Sequence, residues 1–240
     1  MAPVVEFSIS DPSIGLVVRP TRSGPEADLT SRFMTAEAEA LSRKQRSYAV
    51  FMEPQLDTGF PDVVVVAFNP RVFERWTRER NRILPIDLKV LHHLHFVRGA
   101  DSEEIETRLG MDSKTLVRSL ERLLSAQLVL WSAKRWMPRS LKNSYAISNI
   151  QAIEAKVNNW RDAFNQAELN LWFASESYVL SPVSSPSDKI IHASHTRGVG
   201  IYTMPEGRAP KRITKARRAE LPACYASWLF NEWIGRRLSR

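Results

Sequence analysis

Residues 152–160 read AIEAKVNNW, an apolar run broken by a glutamate and a lysine two positions apart. As a strand, this run sends alternate side chains to opposite faces, so Glu154 and Lys156 share one face while Ile153, Ala155 and Val157 share the other. Two ionisable groups on a face otherwise built for burial are costly unless they are paired or bind something, which marks them as a candidate site. Working outward, the pattern predicts a strand over 145–156, a helix over 159–173, a strand over 177–180, a helix near 187–194 and a strand over 198–204. Strand, helix, strand in that order is a crossover unit of a partly parallel sheet, which places the chain in the α/β class.

The rest of the sheet is expected upstream. The first two dozen residues, rich in Pro and Ser, read as an extended arm with one strand near 15–18. Helical spacing follows over 28–46, with Leu29, Phe33, Ala36, Ala40 and Leu41 on one side. Strands over 48–52 and 63–68 flank the turn-rich DTGFPD, so the pair reads as a hairpin with Asp62 at the mouth of its second strand.

Between the two halves the texture changes. IDLKVLHHLHFV, ADSEEIETRLGM and MDSKTLVRSLERLLSAQLV each carry helical periodicity with Asp or Ser caps, and LVLW with KRWM reads as a short hairpin. Three helices and a hairpin resemble a winged helix-turn-helix, an all-α/winged-helix insertion over 85–144. That resemblance implies contact with duplex DNA through Lys114, Arg118, Ser119 and Arg122 on the third helix, and phosphate contacts from Lys134 and Arg135 on the wing. A winged helix used for protein contacts or dimerisation is the competing reading.

The residues on either side of this insertion resemble the PD-(D/E)XK nuclease superfamily. The matching features are Pro61 and Asp62 in GFPDVVVV, Glu154, Ala155 and Lys156 in AIEAKV, and Gln166 in WRDAFNQA. The resemblance implies a restriction-endonuclease-like mixed sheet flanked by helices. It divides the chain into 1–84 and 145–220 as halves of one nuclease-like domain, 85–144 as the insertion, and 221–240 as a basic amphipathic helix. It also implies Mg2+ or Mn2+ held by Asp62, Glu154 and the Ala155 carbonyl, since hard cations take oxygen ligands. Lys156 would stabilise charge on the phosphate, and Gln166 would fix a water or the scissile phosphate. An acid from the first helix commonly completes such sites. Glu37, four residues before Leu41, is favoured over Glu39, and Glu53 is expected to face away.

Composition fits this reading. The net charge of +8 is concentrated in 71–82 and in 205–240, the latter with nine Lys and Arg against three Glu, which favours polyanionic partners. One cysteine, Cys224, precludes an intramolecular disulfide, no secretory leader is legible, and the longest apolar run, 63–68, is too short for a bilayer, so a bacterial cytoplasm or nucleoid is expected. His92, His93 and His95 lack Cys or acidic partners at ligand spacing and read as packing residues. The function expected is a metal-dependent DNA endonuclease or nickase, as a homodimer or with partner proteins. The alternatives are a transcription regulator, a partner-dependent subunit of a mobile-element or anti-phage system, and an RNA-directed nuclease.

Overall fold

The structure, a computed structural model, describes residues 4–20, 23–42 and 46–239. In chain order its elements are β1 (Val4–Phe7), α1 (Pro25–Ser42), β2 (Ser47–Met52), β3 (Val63–Phe68), 3-10 turns at Pro70–Arg75 and Arg78–Arg82, α2 (Pro85–Val97), α3 (Ser102–Leu109), α4 (Ser113–Ser125), β4 (Val129–Ser132), β5 (Arg135–Pro138), α5 (Leu141–Ser144), β6 (Ile147–Ala155), α6 (Trp160–Asn170), β7 (Glu176–Ser181), α7 (Asp188–Arg197), β8 (Gly200–Thr203), β9 (Lys211–Thr214) and α8 (Tyr225–Leu238). They form two compact units. The first comprises the chain up to Phe68 with Ile147–Ala223, and the second Asn69–Ala146 with the chain from Cys224 onward.

The first unit is α/β. Its seven strands lie in the order β1-β2-β3-β6-β7-β8-β9, with β6, β7 and β8 parallel to one another and β3 and β9 antiparallel to their neighbours. The run VVVVAF makes β3 because β-branched residues suit a pleated strand, and its complete burial follows from a central place with both faces covered. On one face α1 packs through Leu29, Phe33 and Leu41 against Val63, Val65, Ile153 and Ala155. On the other, Ala163, Phe164 and Ala167 of α6 pack with Val179, Val199 and Ile201, and Ile190 and Ala193 of α7 lie against the same cluster.

Three features depart from the expectation. The N-terminal strand is Val4–Phe7, parallel to β2, while the 15–18 stretch makes only isolated bridges, Asp11 to Leu16 and Val18 to Pro54. Helix α1 begins at Pro25, three residues before the predicted start, because proline is favoured in a first turn whose N–H groups lack partners anyway. Its predicted C-terminal end runs into 43–45, outside the described residues. A ninth strand, KRIT, closes the far edge; its charges hid it as a strand, and charged edges are a common guard against edge-to-edge pairing.

The second unit holds α2, α3 and α4 followed by the two-stranded β4–β5 hairpin, together with α5 and α8. Asp101 and Asp112 cap α3 and α4 by accepting from the N–H groups of Glu104 and Thr115. The predicted 85–144 segment is thus part of a larger unit that also takes in 69–84 and the C-terminal helix. Arg80 explains why. Its guanidinium donates to both carboxylate oxygens of Glu232 in α8, at 2.7 to 3.3 Å, and to the Ser144 carbonyl at 2.6 Å, with both charged side chains buried. Trp228 of α8 is fully buried against Tyr145 and stacks on His95, ring centroids 5.3 Å apart.

Candidate functional site

Three parallel strands, β6, β7 and β8, end at one rim of the sheet, and the antiparallel register brings the start of β3 to the same rim. Val63 pairs with Ile153, so the next pair outward is Asp62 with Glu154, side by side although they come from distant segments. Crevices beyond the carboxyl ends of parallel strands are where open α/β sheets bind ligands.

Asp62 is fixed by its Oδ2 accepting the Ala155 N–H at 2.8 Å. Glu154 is 5 % exposed, and its Oε1 accepts the side-chain amide of Asn170, in the last turn of α6, at 2.7 Å. Burial pushes the Glu154 carboxyl up to about 8, and the adjacent Asp62 carboxylate pushes in the same direction. Burial also raises Asp62, opposed mainly by the Ala155 N–H. Without a cation, the pair therefore holds a proton near neutral pH. Lys156, just past the end of β6, reaches Glu26 in the first turn of α1, with Nζ 2.9 Å from Oε2.

These groups line one open groove of about 1340 Å³. Asp162, Gln166 and Asn170, spaced by four along α6, present one face to it. Asn159 starts that helix, with its side chain accepting the Asp162 N–H. The groove is acidic. Among the described residues, Glu6, Glu26, Glu53, Asp62, Glu154 and Asp162 line it against Arg19 and Lys156, and each of these cations is bound to one of the acids, Arg19 to Glu53 and Lys156 to Glu26. The adjacent Asp62 and Glu154 carboxyls, both with raised proton affinity, are oxygen donors suited to a hard divalent cation, which would replace the proton. Among the described residues, no group of three or more His, Cys, Asp or Glu is placed to hold a metal ion.

Asp62, Glu154, Lys156 and Gln166 are thus brought together. Glu37 is not: its carboxylate acts on the Tyr202 hydroxyl, in a network that includes Arg212, and neither Glu37 nor Glu39 lines the groove. The acid that α1 contributes is Glu26, which the late predicted helix start had left outside the helix. Glu53, expected to face away, lines the groove instead. It adopts a left-handed backbone (φ 41°) and donates its N–H to the Asp62 carbonyl, so the chain turns there rather than continuing as a strand. Asn170 had no local signal, since only tertiary packing carries it to Glu154.

In the second unit, Lys114, Arg118 and Lys134 are exposed. Lys134 occupies the tip of the β4–β5 turn, where it and Ala133 both have positive φ, the geometry of a tight two-residue hairpin. Arg122 and Arg135 are engaged internally. Arg122 grips the buried Asp87 with two bonds of 2.7 and 2.6 Å, and Arg135 bonds Glu104 and the Gly99 carbonyl. Ser119 is wholly buried and faces the core. His92 and His95 are partly buried, and burial lowers both, His95 to about 4, which keeps them neutral at pH 7.

No family model, no curated protein and no solved structure matches the chain. Among the described residues, no helix is long and apolar enough to cross a membrane.

Proposed function

We propose that this protein is a divalent-metal-dependent nuclease of the PD-(D/E)XK type that cuts phosphodiester bonds in DNA, with a winged-helix-like second unit supplying duplex affinity. One observation carries the reading: Asp62 and Glu154, far apart in the chain, meet at one strand mouth in a groove that Lys156 also lines. The strand order supports it too, since the hairpin strand bearing Asp62 neighbours the strand bearing Glu154 and Lys156, and a crossover helix follows.

The residues divide the chemistry as follows. Asp62, Glu154 and the Ala155 carbonyl would hold Mg2+ or Mn2+, which when bound supplies charge neutralisation at the phosphate and acidifies a coordinated water. Asn170 holds the Glu154 carboxylate in place. Lys156 places an ammonium where negative charge develops on the phosphoryl oxygens, and Glu26 holds that ammonium at the groove until substrate arrives. Gln166, exposed on α6, is free to hydrogen-bond a phosphate oxygen or a water. In the second unit, Lys114, Arg118 and Lys134 provide phosphate contacts, and Arg122 and Arg135 hold the unit together.

The test is cleavage of supercoiled plasmid and of single-stranded DNA by the purified protein in Mg2+, in Mn2+ and in chelator. Nicked or linear product that needs the cation is the expected result. An intact substrate under every condition, or product that forms equally in chelator, overturns the reading.

A further inference from the structure

The strands that end at the site continue to the far edge of the sheet, and their register says what stands there. Ala155 pairs with Leu180, and the Lys156 N–H donates to the Leu180 carbonyl, so Lys156 opens the next row across the sheet. Ser181 pairs with Thr203, and Thr203 with Lys211. One row therefore runs Lys156, Ser181, Thr203, Lys211, with two buried hydroxyl residues between two lysines. At about 4.8 Å per strand, Lys211 lies roughly 14 Å from Lys156.

The β8–β9 connection adds Arg208 at the same rim. Arg208 and Lys211 are exposed, and no ion pair among the described residues engages either. Helices α6 and α7 both begin at this rim, turning their positive ends towards it. The opposite flank differs. Towards β1 and β2 the groove carries Glu6 and Glu53, and Arg19, the cation that the described residues place there, is neutralised by Glu53. A polyanion lying across this rim is repelled on one side of the carboxylate pair and attracted on the other.

We infer that the β8–β9 hairpin is a phosphate-binding rim, which holds the backbone of a nucleic-acid strand so that it runs from the Asp62–Glu154 pair towards β9 and away from β1. The inference rests on the nuclease reading and adds the direction of the substrate.

The experiment is single-turnover cleavage of a labelled DNA in Mg2+ over a range of enzyme and salt concentrations, comparing wild type, R208A/K211A and K215A/R217A, each with its fold checked by circular dichroism. Lys215 and Arg217 are the control, because they too are exposed but follow β9 to the other end of the sheet, where the Arg217 N–H bonds the Gly198 carbonyl. R208A/K211A is expected to raise the half-saturating enzyme concentration roughly tenfold or more, to leave the maximal rate within about twofold, and to reduce the log–log salt slope by about 0.9 for each phosphate no longer neutralised. K215A/R217A should behave as wild type. If wild type cuts and R208A/K211A saturates like it, or if K215A/R217A is weakened as much, the rim is wrong while the nuclease reading stands. If wild type does not cut, the nuclease reading fails and the rim falls with it.

Discussion

At the scale of single residues, the site is defined by carboxylates that fold into a place they would avoid unless something else offset the electrostatic cost. Glu154 ordinarily titrates near 4.5 and is pushed up to about 8 here, so its folded form holds a proton that the unfolded chain has released. The unfolded state then binds fewer protons between those values, and stability in chelator must fall as pH rises through that window. His95, lowered by burial, works in the opposite sense below its ordinary range, so the comparison to make is with Glu154→Gln. Wild type should lose stability relative to Glu154→Gln from about pH 4.5 to 8 in thermal or urea melts, and Mn2+ should abolish the difference in slope. Parallel pH profiles for the two proteins would contradict the burial of an ionisable pair. Lys156→Met offers a second residue-scale prediction. Its partner Glu26 is 47 % exposed, so stability should change little, metal affinity should persist or tighten, and cleavage should fall on the order of a hundredfold. Wild-type cleavage by Lys156→Met would reduce the lysine to a surface ion pair.

At the scale of elements, what was legible in the sequence was what local pattern encodes. The VVVV run of β3, the caps of α3 and α4, and the strand–helix–strand order from β6 to β7 all follow from periodicity and turn chemistry, and so did the order of Asp62, Glu154 and Lys156. Glu26 was missed because the expected helix began at 28, whereas the helix starts at Pro25. Asn170 and the pairing of Arg122 with Asp87 were missed because partners 16 and 35 residues away leave no mark on local pattern. That last pair carries a prediction. Asp87 is fully buried and also accepts the Leu84 N–H, so Arg122→Ala would leave a buried carboxylate without its cation and destabilise the second unit by about 3 kcal/mol. Urea unfolding would measure this, and a change within about 0.5 kcal/mol, the range of neutral surface substitutions, would contradict it. Neutralising Lys114, Arg118 and Lys134 instead should leave stability intact and flatten the salt dependence of duplex binding by roughly one log–log unit for each phosphate that the unit ceases to neutralise. An unchanged salt slope would place the duplex grip elsewhere.

At the scale of the whole molecule, the chain leaves the first unit after β3 and returns to it in β6, the neighbouring strand, so a second unit can be inserted between the two halves of a site without interrupting the sheet. The return to the second unit at Cys224 was hidden, because the contacts that tie α8 there, among them the Arg80–Glu232 pair and the buried Trp228, join residues far apart in the chain. Charge read from composition was also redistributed by folding. Several cations of the basic 71–82 and C-terminal segments are consumed inside the second unit, Arg80 by Glu232 and Arg236 by the Ile83 carbonyl, and do not add to a polyanion-binding surface. The proposed function requires that two carboxylates from the two halves of the first unit act as one metal site for phosphodiester cleavage. The deciding measurement is single-turnover cleavage of supercoiled plasmid in Mg2+ by wild type, Asp62→Ala and Glu154→Ala, with a Mn2+ titration of each. Either substitution is expected to abolish both cleavage and cation binding in a protein that remains folded, and equal cleavage by all three would contradict a shared metal site.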